Sequence, residues 1–235
     1  MQLFITNFKQ NGNDIIIANP AILEQTRKVL RMKIWDQFFV QHKNTRHEME
    51  IINRDKNTMT GKILNTEQSN ACQKSSIRMA VAMPNKRAKA ELIVQKLSEI
   101  WINNIYFRPS ERSILKERND KKLERLEKIS QEAVEQSRWR EIPKIEFIKD
   151  ISQIIQDKKI IIFDKSDNSV SLSSSSEAKD LEKQNIIWII GPEWWLTKND
   201  YQKFWNDYQI KSLWDTILRM ETASIVGAWV IKNIE

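Results

Sequence analysis

Apolar residues fall into two regimes along the chain. Over the first seventy positions they form short runs, at 38–40, 49–52 and 61–64, separated by polar turns such as Asn11-Gly12-Asn13 and the stretch 53–58. Runs of that length between turn residues predict β-strands. One helical piece interrupts them: Pro20 marks a helix start, and Ile22, Leu23, Thr26, Val29 and Leu30 follow at helical spacing. A small β-barrel carrying a helical turn or two is the simplest assembly of these pieces.

From about residue 75 strands and helices alternate. Residues 77–83 predict a strand, and Pro84-Asn85 leads into a helix whose apolar face carries Ala88, Leu92, Ile93, Leu97 and Ile100. Lys86, Arg87, Lys89 and Lys96 lie away from that face. Residues 104–107 form the next strand. The charged stretch 116–136 predicts a long helix, with Glu117–Lys121 and Glu124–Lys128 in the favoured i,i+4 order and the charge run on a solvated face. The apolar runs 145–148, 159–163 and 186–190 show little alternation, which suits parallel strands covered on both faces. Thr197 with Asp200 three residues on predicts a capping box opening a helix through Phe204, and a final apolar helix covers 221–231. The serine-rich stretch 169–176 reads as a surface loop. The expectation is an α/β protein with a β-rich domain over 1–70 and an alternating domain over 71–235.

Composition narrows the partners. The net charge of +7 and a pI near 9.4 favour a polyanion, most commonly a nucleic acid. Cys72 is the single cysteine, which excludes an intrachain disulfide and points to a reducing cytoplasm. His42 and His47 are the only histidines and make no metal-ligand spacing with it, so no metal is expected. The start of the chain is too polar for a signal peptide, and the run 186–190 is far too short to span a bilayer. No membrane association is expected.

Six segments carry a family resemblance, in one order along nearly the whole chain. Ile189-Ile190-Gly191-Pro192-Glu193-Trp194-Trp195-Leu196 resembles a strand-then-loop "IGPEGG(F/L)" motif. Residues 212–223, from Ser212-Leu213-Trp214 through Arg219-Met220-Glu221-Thr222-Ala223, resemble "SLGxRILRxETA". Residues 95–102 are similar to "QKxxELGV", 110–113 to "SERS", 132–143 to "EAxEQSxRxxxP" and 28–36 to "KVLRLKxGD". These are motifs of the ribosomal RNA small subunit methyltransferase E family, within the SPOUT superfamily of RNA methyltransferases. A strand ending in Gly-Pro-Glu can present backbone groups to a nucleotide-like ligand at the carboxyl edge of a parallel sheet. Ile217 and Leu218 can line an adenine pocket, and N–H groups at the start of the last helix can hold polar or anionic groups.

The resemblance implies a small PUA-like barrel followed by a SPOUT domain with a C-terminal trefoil knot. It implies a homodimer whose second subunit completes the active site, and methyl transfer from S-adenosyl-L-methionine to N3 of a uridine in small-subunit ribosomal RNA. It places Ile190, Gly191, Pro192, Glu193, Trp194, Leu213, Trp214, Ile217, Leu218, Thr222 and Ala223 at the cofactor, and Arg219 and Glu221 on the reacting side. Arg27, Lys28, Arg31 and Lys33 are candidates for RNA phosphates. Around Trp139 the family's arginine is displaced, and Arg138 and Arg140 flank the position. Two other readings share the fold: a non-catalytic RNA-binding assembly factor, and a methyltransferase acting on transfer RNA.

One compositional feature bears on all of this. The chain has 4 glycines and 9 tryptophans, where ordinary usage gives roughly 16 glycines. Trp35, Trp101, Trp194, Trp195, Trp205 and Trp214 stand where the family shows glycine. Trp35 falls in an apparent hairpin turn, and Trp101 and Trp205 at C′ positions after helices, where positive φ favours glycine. The reading that accounts for all six is a source that decodes UGA as glycine. Trp188 and Trp229, inside apolar segments, could be either residue.

Overall fold

A computed structural model of the chain describes residues 1–68, 77–109, 120–139, 141–165, 170–171, 185–192, 196–204, 208–213 and 215–234. The chain divides into two units: Met1–Gln73 with Val134–Arg140, and Lys74–Ala133 with Glu141–Glu235.

In the first unit the short apolar runs become strands of one mixed sheet. β1 (Gln2–Ile5), β2 (Lys9–Asn11), β3 (Asp14–Ile17), β4 (Gln37–His42), β5 (Thr45–Arg54) and β6 (Met59–Gln68) take the order β1-β4-β5-β6-β3-β2. β1 pairs in parallel with β4, and every other pair is antiparallel. The β2–β3 hairpin turns at Gly12, whose φ of 60° lies in the left-handed region that glycine tolerates. Alternation sends His47, Met49 and Ile51 of β5 inward, onto a core with Phe4, Phe38 and Val40.

Between β3 and β4 lies α1 (Pro20–Glu24), capped by Asn19, which accepts a hydrogen bond from Ala21 N. It continues into a π-helical turn over Gln25–Val29, closed by Leu30 N donating to Gln25 O at 2.9 Å. That wider turn shifts the helical phase. Thr26 is buried, while Val29 is 71% exposed and Leu30 also faces solvent, so these two do not extend the apolar face that their spacing predicts. Residues 134–140 join this unit: Glu135 Oε1 accepts from Ile5 N at 2.9 Å, and Arg46 Nη2 donates to the carbonyls of Arg138 and Trp139 at 3.1 and 2.9 Å.

The second unit is a parallel sheet of β7 (Arg78–Ala82), β8 (Asn104–Arg108), β9 (Lys144–Phe147), β10 (Lys159–Phe163), β11 (Val170–Ser171), β12 (Ile186–Ile190) and β13 (Tyr208–Ser212). Their order is β11-β13-β10-β12-β7-β8-β9. Every paired neighbour runs parallel. Apolar side chains emerge on both faces. Met79, Val81, Ile161, Trp188 and Ile190 join one core, and Ala80, Ile160, Ile162, Ile187 and Ile189 join the other.

The first core is covered by α2 (Arg87–Glu99), α3 (Asp120–Ser137) and α6 (Met220–Ile234). The second is closed by α4 (Ser152–Ile155) and by Phe204, which follows α5 (Lys198–Gln202). The Thr197–Asp200 capping box opens α5, with both reciprocal hydrogen bonds at 3.2 Å. The helix is shorter than the sequence suggests and ends at Gln202. The buried face of α2 is Ala90, Ile93, Val94, Leu97 and Ser98. Ala88 and Leu92 are exposed, so the face lies one step round from the predicted one.

Two tryptophans adopt left-handed backbone: Trp35 at φ 75° and Trp101 at φ 74°. Trp101 occupies the C′ position after α2, with its N–H on Ser98 O and the N–H of Ile102 on Leu97 O. That is a Schellman motif, whose C′ residue is ordinarily glycine. Trp188 differs. It is 4% exposed on β12 and stacks on Phe163 with ring centroids 5.3 Å apart.

Candidate functional site

Three strand ends and one helix start converge on a cavity of about 470 Å³ in the second unit. β10 runs out into Asp164 and Lys165, β12 into Gly191 and Pro192, and β13 into Leu213. Parallel strands leave unpaired backbone groups at their carboxyl ends, which is why open α/β sheets bind ligands there. The segment Thr216, Ile217, Leu218 and Arg219 then crosses the cavity and enters α6 at Met220. The volume lies in the range of small-molecule sites.

The walls differ in chemistry. Ile190, Leu196, Leu213, Ile217, Leu218, Met220 and Phe163 make an apolar surface able to take a planar ring. Gly191 keeps that wall thin: a Cβ there would come within 3.2 Å of Leu196 Cγ. Gly227 on α6 is more restrictive, because a Cβ would come within 2.9 Å of the Phe163 ring that lines the cavity. Asp164 supplies a carboxylate that accepts a hydrogen bond from the Tyr201 hydroxyl. Burial, then that bond, pushes the Tyr201 phenol well above its ordinary range, so it stays a donor.

Of the residues singled out in the sequence, Ile190, Gly191, Pro192, Leu213, Ile217, Leu218, Ala223 and Arg219 line this cavity. Thr222 is exposed and outside the wall. Glu221 is also outside it, in the first turn of α6, where its Oε2 sits 3.3 Å from Lys89 Nζ. Burial raises the Glu221 carboxyl, but the hydrogen bond from its own backbone and the charges of Lys89 and Arg219 outweigh this and hold it below the usual carboxylate range. Glu193, Trp194 and Trp214 lie outside the described residues, as do Trp195, Trp205, Arg140 and the 110–113 turn.

Lys89, Asp164 and Lys165 are cavity residues that the motifs did not indicate. Lys89 reads from the sequence as a solvated lysine of α2; the rotated face of that helix brings it to the wall. Asp164 was findable as the polar residue directly after an apolar parallel strand.

In the first unit Arg27, Lys28, Arg31 and Lys33 are all exposed on the stretch between α1 and β4. Arg27 Nη2 donates to the carbonyls of Asp55 and Lys56. Lys28 pairs with Glu24 at 2.7 Å, a contact both of whose partners are well solvated. Arg138 is exposed as well, at φ 57°.

Known proteins resemble this chain in sequence and in fold. A Ribosomal RNA small subunit methyltransferase E from Bacillus subtilis is 27% identical over 87% of this chain and 84% of its own length. Another, from Mesomycoplasma hyopneumoniae, is 28% identical over 96% of each. The crystal structure of a Ribosomal RNA small subunit methyltransferase E from Neisseria gonorrhoeae, bound to S-adenosyl methionine, superposes with a TM-score of 0.81 at 20% identity, covering 100% of this chain and 98% of that one. These relatives agree with the resemblance carried by the motifs. Residues 71–232 match the model of the RNA methyltransferase domain. The chain belongs to the RNA methyltransferase family.

Proposed function

We propose that the protein methylates small-subunit ribosomal RNA at N3 of a uridine, using S-adenosylmethionine. The cavity at the carboxyl ends of β10, β12 and β13 carries this reading, because the family's most specific motifs meet there. The full-length curated relatives favour ribosomal RNA over transfer RNA. An apolar lining, the polar groups of Lys89, Asp164 and Arg219 and a glycine-thinned wall fit the cofactor. Bound there, S-adenosylmethionine supplies a methyl group on a sulfonium.

The chain's own residues then have three tasks. Ile190, Leu213, Ile217 and Leu218 bury the adenine and exclude water. The N–H groups at the start of α6 and at Gly191 hold polar edges of the ligand. Arg219, exposed on the cavity wall, steadies the target nucleotide so that its nitrogen meets the methyl in line, the positioning on which displacement depends. Arg27, Lys28, Arg31 and Lys33 make the first unit, over residues 1–70, a PUA-like docking module for phosphates, to which Arg138 and Arg140 add from the segment 134–140 that joins it.

The reading carries a homodimer that completes the site, a cytoplasmic location and a trefoil knot. It also carries glycine in place of tryptophan at 35, 101, 194, 195, 205 and 214 in the natural protein. Among the described residues, no helix is long and apolar enough to cross a membrane.

The test is transfer of a labelled methyl group to small ribosomal subunits and to free ribosomal RNA, followed by nucleoside analysis. Label in 3-methyluridine of the small-subunit RNA is the expected result. Label confined to transfer RNA, or to another position of the base, would overturn the substrate assignment.

A further inference from the structure

Two cations of the cavity wall, Lys89 and Lys165, are marked by none of the motifs, and Lys89 is the one set at the start of α6. Lys89 reaches the wall from α2, and its ammonium lies 3.3 Å from Glu221 Oε2. The two side chains are 24% and 14% exposed. Glu221 is behind the wall and Lys89 is in it. Oε2 is sealed from solvent, and the Lys89 ammonium at 3.3 Å is the charge that compensates it. A buried carboxylate so placed is compensated by charge, and it anchors the lysine side chain against the cavity.

Three positive features meet at this corner: Lys89, the Arg219 guanidinium and the N-terminal end of the fifteen-residue α6. Asp164, the carboxylate on the same wall, accepts from the Tyr201 hydroxyl, and positive charge gathered around the start of a helix favours an anionic oxygen there. Resting on the cofactor reading above, we propose that Lys89 is a ligand-binding residue that donates to an anionic oxygen, with Glu221 as the positioning residue that holds it. The anion is either the carboxylate of the amino-acid portion of the methyl donor or the phosphate of the target nucleotide.

Calorimetry separates the two sources, with the chain carrying W35G, W101G, W194G, W195G, W205G and W214G as parent. S-adenosylhomocysteine has the amino-acid carboxylate, and methylthioadenosine lacks the whole amino-acid portion. Uridine monophosphate and uridine differ by the phosphate. Loss of a charged hydrogen bond weakens binding by roughly tenfold or more. K89M should therefore weaken either S-adenosylhomocysteine or uridine monophosphate by that factor and leave its uncharged counterpart unchanged. Whichever ligand responds identifies the source. K89R should recover most of the loss, and E221Q should weaken the same ligand less and add nothing to K89M. Equal weakening of charged and uncharged ligands, or none, would overturn the inference while leaving the cofactor reading in place. A parent that binds no S-adenosylhomocysteine would overturn both.

Discussion

Trp35 and Trp101 sit in backbone that glycine adopts freely and a bulky L-residue does not. Their φ values of 75° and 74° put them in the left-handed region, and Trp35 is 69% exposed, so little packing offsets its strain. Strain of this kind costs on the order of 1–3 kcal/mol per residue. W35G and W101G should each stabilise the chain by about 1 kcal/mol, read as a shift in denaturant midpoint at constant slope. Trp188 has the opposite status. Stacked on Phe163 inside the core, it should cost about 3–5 kcal/mol when replaced by glycine. A loss of stability in W35G and W101G would contradict the reading of those positions as natural glycines. The signal was legible in the sequence because a turn and a helix end can be located from their neighbours, and both demand a residue without Cβ. Lys89 was not legible. Its neighbours Ala88 and Leu92 share a helical face by spacing, yet both are exposed, and Ala90 and Val94 are buried instead.

Among the elements, α5 and β8 are tied by a buried ion pair. Arg108 closes β8 at 2% exposure, and its Nη1 lies 3.7 Å from Oδ1 of the fully buried Asp200. Burial pulls the guanidinium down to about 10, with Asp200 opposing the shift. Among the described residues Nε and Nη2 of Arg108 have no hydrogen-bond partner, whereas the Asp200 carboxylate also accepts from Thr197 N in the capping box of α5. Removing the carboxylate therefore strands a buried cation and breaks one half of the capping box, while removing the cation leaves the whole box intact. D200A should destabilise by about 3–5 kcal/mol and R108M by clearly less. Chemical denaturation of both variants checks the order, and equal losses would show that the pair rather than the cap carries the stability.

The capping box, the apolar strands of the parallel sheet and the final helix were all readable, because each has a short-range pattern. β1, β2, β3 and β13 were not, and β11 corrects the reading of 169–176 as a loop, since Val170–Ser171 pairs with β13. β2 is exposed along its whole length, so it shows no alternation, and β13 buries Lys211 within a strand otherwise half-exposed. Those strands exist because neighbours in the sheet recruit them, which no local pattern records.

At the scale of the whole molecule, the proposed function divides chemistry and docking between the two units. Every cavity residue belongs to the second, and the exposed basic stretch from Arg27 to Lys33 belongs to the first. Binding to ribosomal RNA should weaken steeply with salt, and neutralising Arg31 and Lys33 together should reduce the slope of log K against log salt by roughly 0.7–0.9 per lost phosphate contact. Affinity for the cofactor should not change. An unaltered slope would assign these residues to the surface and not to the RNA. The motifs located the cavity well, since eight of the residues they indicated line it. The part they missed, the cationic corner, depends on how α2 is turned against α6, and that is a property of packing.

The most direct test of the central claim is calorimetric titration with S-adenosylmethionine. It compares the chain as written with the chain carrying glycine at the six tryptophan positions, and adds G191V in the glycine background. The account predicts saturable binding of one cofactor per chain by the glycine form. It predicts much weaker binding by the tryptophan form, and loss of binding in G191V, whose side chain would press on Leu196. Equal affinity of all three would contradict the placement of the cofactor between Gly191 and the loop that enters α6.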